Sequence, residues 1–169
     1  MTKAQIPASA ADTGRRLAAL EAESAARRTL SRYMSLCDVP APADARDGEL
    51  PALFTDDAVW EGVGAEYASG FGRHAGPAAI DGFLRKYLPP VPHFQRNVHF
   101  LTSEAMVADG DVVRGHWIMQ QLSVYAGGKT ELISARLAVV FDIDSDGTAR
   151  VRHFQTERLS CQTLAETRP

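Results

Sequence analysis

Three side chains in this chain carry groups that can move a proton or polarise a carbonyl: Tyr33, Asp38 and His99. Tyr33 and Asp38 lie five residues apart at the end of a helical pattern, and His99 opens a strand pattern after a proline-rich loop. A carboxylate bonded to one imidazole nitrogen fixes the tautomer and leaves the other nitrogen as a base. A phenol beside that base can donate to an oxygen on which negative charge develops. Each residue also has a plainer reading. Asp38 before Val39-Pro40 suits a turn, and a lone strand histidine is commonly structural. Tyr33 shares a helix face with Leu30 and Cys37, where its ring can simply pack.

The elements that must position this trio are readable from periodicity. A first helix begins near Asp12 or Thr13, either of which can cap it. Leu17, Leu20, Leu30, Tyr33, Met34 and Cys37 recur at three- and four-residue steps as its apolar face. It ends around Asp38, because Val39-Pro40-Ala41-Pro42 cannot continue it. Leu50, Leu53 and Phe54 suggest a short second helix, and Ala58-Val59-Trp60-Glu61 a first strand. Tyr67 to Phe71 reads as a second strand. Gly76-Pro77 opens another helix with the stripe Ile80, Phe83, Leu84, Tyr87 and Leu88, and Pro89-Pro90 stops it. From Asn97 the period becomes two, with strands expected near 97–108, 111–125, 130–143 and 149–160. Asp109-Gly110, Gly127-Gly128 and Ser145-Asp146-Gly147 mark the turns between them. Helices first and an antiparallel meander afterwards is an α+β order.

Composition narrows the function classes. The chain has 169 residues, 45% hydrophobic and 23% charged, and fits one globular domain. The reading is a lead-in over 1–12, a domain over 13–160 and a C-terminal tail over 161–169. A formal net charge of -3 argues against a nucleic-acid surface. No stretch approaches the roughly 20 apolar residues that cross a bilayer. Two cysteines without metal or redox spacing suit a reduced, cytoplasmic protein. His74 is expected at the surface, and His116 and His153 lack partners at metal-ligand spacing, so no metal and no cofactor is expected.

The element order, together with Phe54-Thr55-Asp56-Asp57-Ala58-Val59-Trp60, resembles the NTF2-like superfamily. More narrowly it resembles the SnoaL-like branch, which includes scytalone dehydratase and bile-acid 7α-dehydratase. The likeness runs from about Arg16 to Leu159 and implies a curved sheet wrapped around helices into a cone with a pocket at its open end. It implies Tyr33 and Asp38 as pocket residues and His99 as the proton carrier. Ser134-Ala135-Arg136-Leu137 falls where scytalone dehydratase has a pocket serine and asparagine, with Arg136 replacing the asparagine. Those dehydratases place a second histidine or an aspartate on the strand that here runs through Gln120, Gln121, Leu122 and Ser123. None of these four can serve as acid or base near neutral pH.

Trp60, Met119 and Phe154 are expected in the pocket wall or the core, Gln121 on the pocket strand, and His93 at the rim or in a lid. Arg136 is either a cross-strand ion-pair partner or a cation inside the cone with Ser134. In that second reading Leu137, Val139 and Phe141 point outward, as in a homodimer interface. The expected function is a cofactor-independent lyase or isomerase (dehydratase-, isomerase- or cyclase-type) acting beside a carbonyl of a hydrophobic polycyclic or aromatic small molecule. The alternative is a non-catalytic ligand-binding or assembly subunit, such as the small subunit of a ring-hydroxylating oxygenase.

Overall fold

The computed structural model describes residues 9–91 and 93–166. Its first element, α1 (Ala10–Cys37), starts earlier than Asp12 because Ser9 is the cap: the Ser9 hydroxyl accepts from the Asp12 amide at 3.1 Å. Asp12 becomes a first-turn acid, where the positive end of the helix dipole favours it. Residues 10–12 are therefore helical rather than part of a lead-in, and residues 1–8 lie outside the described residues. The helix buries Ala22, Ala25, Ala26, Thr29, Leu30, Tyr33, Met34 and Cys37 at the expected three- and four-residue steps. Leu17 and Leu20 do not join them; they are 55% and 63% exposed. The stripe has the right period, but the sheet covers only its C-terminal half. Small alanines let the backbone approach the sheet there, and the Thr29 hydroxyl donates to the Ala149 carbonyl at 2.7 Å.

After α2 (Glu49–Ala52) and β1 (Phe54–Val63) the chain forms α3 (Gly64–Gly70), not a strand over Tyr67–Phe71. Gly64, at φ 75°, takes the chain out of β1 through a conformation that favours glycine. Tyr67 and Phe71, four apart, then meet on one side of the helical turn with ring centroids 4.3 Å apart. The second strand is β2 (Arg73–Ala75), paired antiparallel to β1. Helix α4 (Pro77–Leu84) starts with Pro77 in its first turn, as expected, and ends before Pro89-Pro90. Tyr87 and Leu88 lie beyond it yet still pack against the core.

Four long strands follow: β3 (Phe94–Asp109), β4 (Val112–Tyr125), β5 (Lys129–Ile143) and β6 (Ala149–Glu166). The sheet order is β2-β1-β6-β5-β4-β3, with β1 and β6 parallel and every other pair antiparallel. The result is an α+β cone built from a six-stranded mixed sheet. Strand β6 pairs with β5 as far as Lys129↔Glu166, so residues 161–166 are strand and not tail.

The phase of β5 differs from the outward reading of its apolar residues. Ala135, Leu137, Val139 and Phe141 are all buried in the core, and Arg136 is exposed. Alternation along a strand sends one set inward, and burial selects the apolar set. Because the α1 stripe is buried only from Ala22 onward, Leu30→Ala is expected to cost about 2–5 kcal/mol of stability. Leu20→Ala should change it by no more than about 0.5 kcal/mol. Urea unfolding of the two variants measures the difference.

Candidate active site

Asp38 caps the C-terminus of α1, its own amide donating to the Ser35 carbonyl at 3.2 Å. The next residue locks onto β3: Val39 and Asn97 exchange two backbone hydrogen bonds, of 2.9 and 3.0 Å. That bridge brings the carboxylate to His99, two residues along the same strand. One oxygen, Asp38 Oδ1, accepts from the His99 backbone N–H at 3.0 Å and lies 2.8 Å from His99 Nδ1. A carboxylate at a helix C-terminus faces the negative end of the dipole. Two convergent donors offset that cost. An accepting carboxylate at Nδ1 calls, in a neutral ring, for the hydrogen on Nδ1 and the lone pair on Nε2. The imidazole is well shielded, with 10% of its side chain exposed.

Beyond Nε2 stands a closed polar group. Asn97 Nδ2 is 3.5 Å from His99 Nε2. Asn97 Oδ1 accepts from Gln121 Nε2 at 2.9 Å and from the Ser123 hydroxyl at 2.8 Å, and Gln121 Nε2 also donates to Ser123 Oγ at 2.9 Å. Asn97 and Ser123 are both buried.

His99 lines a cavity of about 380 Å³ together with Tyr33, Trp60, Met119, Gln121 and Phe154. His93 reaches the same cavity and packs edge-on against Tyr87 and Tyr125. Asp38 supports the ring from behind. The Tyr33 hydroxyl accepts from Trp60 Nε1 at 2.9 Å, and its ring meets Phe54 and Phe154. Burial pushes the Tyr33 phenol well above its ordinary range, so it stays a neutral donor. Burial likewise pushes the neighbouring Cys37 thiol up to about 12. That thiol is no nucleophile near neutral pH.

Arg136 and Ser134 are not in the cavity. Arg136 Nη1 pairs with Glu157 Oε2 at 2.6 Å, and the Ser134 hydroxyl donates to Gln120 Oε1 at 3.0 Å. They occupy the opposite phase of β5 from its buried apolar set. The guanidinium that does line the cavity is Arg158 of β6, whose Nη1 pairs with Glu66 Oε2 at 2.7 Å. Its Nε is buried and finds no hydrogen-bond partner among the described residues. The spacing Phe154, Thr156, Arg158 places all three on one strand face, a period-two signal that marks Arg158 once Phe154 is assigned inward. Asn97 and Ser123 escaped the sequence reading too, although each stands two residues from a recognised pocket residue. Among the described residues, no group of three His, Cys, Asp or Glu side chains is placed to hold a metal ion. Among them, no helix is long and apolar enough to cross a membrane.

Residues 18–155 match the family model of the SnoaL-like domain. The chain belongs to the SnoaL-like family. Its fold matches solved structures along most of both chains. A hexachlorocyclohexane dehydrochlorinase (LinA, type 2) superposes with a TM-score of 0.70 at 21% identity, covering 89% of this chain and 95% of that one. A scytalone-dehydratase-like protein of Novosphingobium aromaticivorans gives 0.68 at 13% identity, covering 88% and 91%. An aromatic-ring-hydroxylase-like protein of the same species gives 0.69 at 18%, covering 85% and 94%. At these identities the likeness speaks for the SnoaL-like fold. No curated protein matches the sequence significantly.

On the cavity lining of this SnoaL-like chain, Glu131 is held below the usual carboxylate range, chiefly by its bond to Lys129, against desolvation and with help from the Tyr125 hydroxyl at 2.9 Å. A depressed folded-state value contributes stability above the unfolded value, and that stability disappears as pH falls through the folded one. Glu131→Gln should therefore be less stable than the parent at pH 7. The gap should close below about pH 4, as read by urea unfolding at both values.

Proposed function

We propose that this SnoaL-like chain is a cofactor-independent lyase or isomerase that removes a proton next to a carbonyl of a hydrophobic, ring-containing small molecule. The observation that carries the reading is the 2.8 Å contact of Asp38 with His99 Nδ1 at the wall of an aromatic cavity. His99 Nε2 takes the proton from carbon. The electron pair of the broken C–H bond moves into the C–C bond and onto the carbonyl oxygen, giving an enolate. The Tyr33 phenol donates to that oxygen, as a neutral donor can. Arg158, the cation within the same cavity, supplies positive charge to an anionic group that develops or departs. The imidazolium then returns its proton to another carbon, or the enolate expels a leaving group. A cavity of about 380 Å³ falls within the range of small-molecule pockets. The dehydrochlorinase and the scytalone-dehydratase-like protein that share the fold favour proton-abstracting chemistry of this kind.

Proton abstraction can be tested on surrogate ketones, whatever the physiological substrate. Cyclic and fused-ring ketones incubated with the protein in D2O should gain deuterium beside the carbonyl, read by mass spectrometry. His99→Ala should lower that exchange by roughly a hundred- to ten-thousand-fold. A folded His99→Ala protein exchanging at the parental rate overturns the mechanism.

The aromatic-ring-hydroxylase-like neighbour favours a second reading, an assembly or ligand-binding subunit beside a larger oxygenase chain. In that case ligand binds without exchange, His99→Gln alters affinity only modestly, and the protein copurifies with the larger chain. In either reading a homodimer forms through the outer sheet face. Its apolar residues are Phe100, 53% exposed, with Val98, Leu122 and Leu132 in the next cross-strand row. Sedimentation at micromolar concentration should show a dimer that Phe100→Glu weakens; a parental protein that sediments only as monomer counts against it.

A further inference from the structure

We propose that Asn97 is a positioning residue that holds His99 Nε2 as a proton acceptor, with Gln121 and Ser123 clamping its carboxamide in the orientation that does so. The proposal rests on the reading of His99 as the base and adds the device that sets that base's proton inventory.

A carboxamide has one accepting and one donating end. The accepting end of Asn97 is fully used: Gln121 Nε2 and the Ser123 hydroxyl both converge on Oδ1, at 2.9 and 2.8 Å. A rotated Asn97 would turn its NH2 toward the Gln121 NH2, donor against donor. Reversing the ring needs Asn97, Gln121 and the Ser123 hydroxyl to turn together, and it would leave Asn97 Oδ1 facing the Nε2 lone pair, acceptor against acceptor. The three side chains thus close a ring of hydrogen bonds in which Asn97 Nδ2 is left facing His99 Nε2 at 3.5 Å.

The backbone holds this ring in place. Asn97 is pinned by its two bonds to Val39, and β3 pairs with β4 so that Asn97 lies opposite Ser123 and His99 opposite Gln121. All four side chains therefore stand on one face of two neighbouring strands. Asn97 is 3% exposed and Ser123 fully buried, so little water is at hand to replace a lost partner.

The consequence for His99 is directional. On the Nδ1 side the ring meets an acceptor, Asp38. On the Nε2 side it meets a donor. A neutral ring with hydrogen on Nδ1 satisfies both neighbours, whereas one with hydrogen on Nε2 opposes both. At 3.5 Å the Asn97 contact is at the limit of a hydrogen bond, so the lone pair remains open to an acidic C–H. Once Nε2 has taken a proton, the Asn97 amide offers it no acceptor, and the imidazolium is biased to hand the proton on.

The experiment reads tautomer and turnover separately. Full-length protein labelled with 15N-histidine, free of ligand, gives a two-bond 1H–15N correlation spectrum in which His99 is assigned by its loss in His99→Gln. The parental protein should show His99 protonated on Nδ1 with a bare Nε2. Asn97→Asp places a carboxylate opposite Nε2 and should keep the ring doubly protonated to a pH higher by about one to three units. The acidic limb of the D2O exchange profile should move with it. Ser123→Ala, the gentler change, should mix the tautomers and lower exchange kcat by about tenfold to a hundredfold with KM little altered. A parental spectrum with hydrogen on Nε2 overturns the proposal. So does a folded Asn97→Asp or Ser123→Ala protein whose spectrum and pH profile match the parent's. If His99→Ala retains full exchange while these spectra come out as expected, the catalytic reading fails and the positioning by Asn97 stands.

Discussion

A single carboxylate oxygen joins the helical and sheet layers at the site. Asp38 Oδ1 accepts from both the backbone N–H and the ring of His99, so it fixes strand and side chain together. This geometry requires that α1 end at Cys37 and that the next residue pair with β3. The Val39–Asn97 bridge supplies the pairing, and the proline after Val39 forbids further helix. If α1 ran one turn longer, the carboxylate would be rotated away and the imidazole would lose its orienting partner. The site thus sits at a junction, where the end of one element is fixed by hydrogen bonds to the middle of another.

Around that junction the cavity wall is aromatic and largely self-supporting. Trp60 stacks parallel to Phe154 at 5.6 Å and packs against Phe83 at 4.9 Å, while its indole N–H is satisfied by Tyr33. Phe83 in turn stacks on His74, whose Nε2 lies 2.8 Å from the Phe71 carbonyl. The indole–phenol bond satisfies both polar tips within this part of the wall, where a low local dielectric strengthens each electrostatic contact. Arg158 and Glu131 add charge to the same lining, Glu131 from the position on β5 opposite Ser123.

Much of this is legible in the sequence, for identifiable reasons. Prolines after Val39 mark the helix end that positions Asp38, and glycine turns separate β3 to β6 so that their alternation can be read. Where the reading fails, local pattern lacks the information. Leu17 and Leu20 have the correct helical spacing, but periodicity does not say how far the opposing sheet reaches. Tyr67 and Phe71 fit a strand between glycines and equally fit an i,i+4 ring pair, and only the left-handed Gly64 turn decides for helix. On β5 the alternation is right but the inward reading of Arg136 has the wrong phase, because its apolar neighbours Leu137, Val139 and Phe141 need burial more. The polar ring of Asn97, Gln121 and Ser123 spans two strands, so it becomes visible only once their register is known.

The same register bears on which reactions the cavity favours. Gln121 and Ser123 point at Asn97, so β4 contributes no proton carrier next to His99. The other titratable groups on the lining are phenols, the buried Cys37 thiol, His93, Glu66, Glu131 and Arg158. Tyr33, Tyr67 and Tyr125 have their phenols raised by burial, which makes them good donors of hydrogen bonds and poor donors of protons. A base without a nearby acid handles two reactions well. It can return the same proton to a different carbon, which shifts a double bond. It can also eliminate a group that leaves as a stable anion. Loss of water from an unactivated alcohol asks more, because hydroxide is a poor leaving group unless protonated. Within the lyase and isomerase reading, isomerisation and elimination of a stable anion therefore fit this lining better than dehydration.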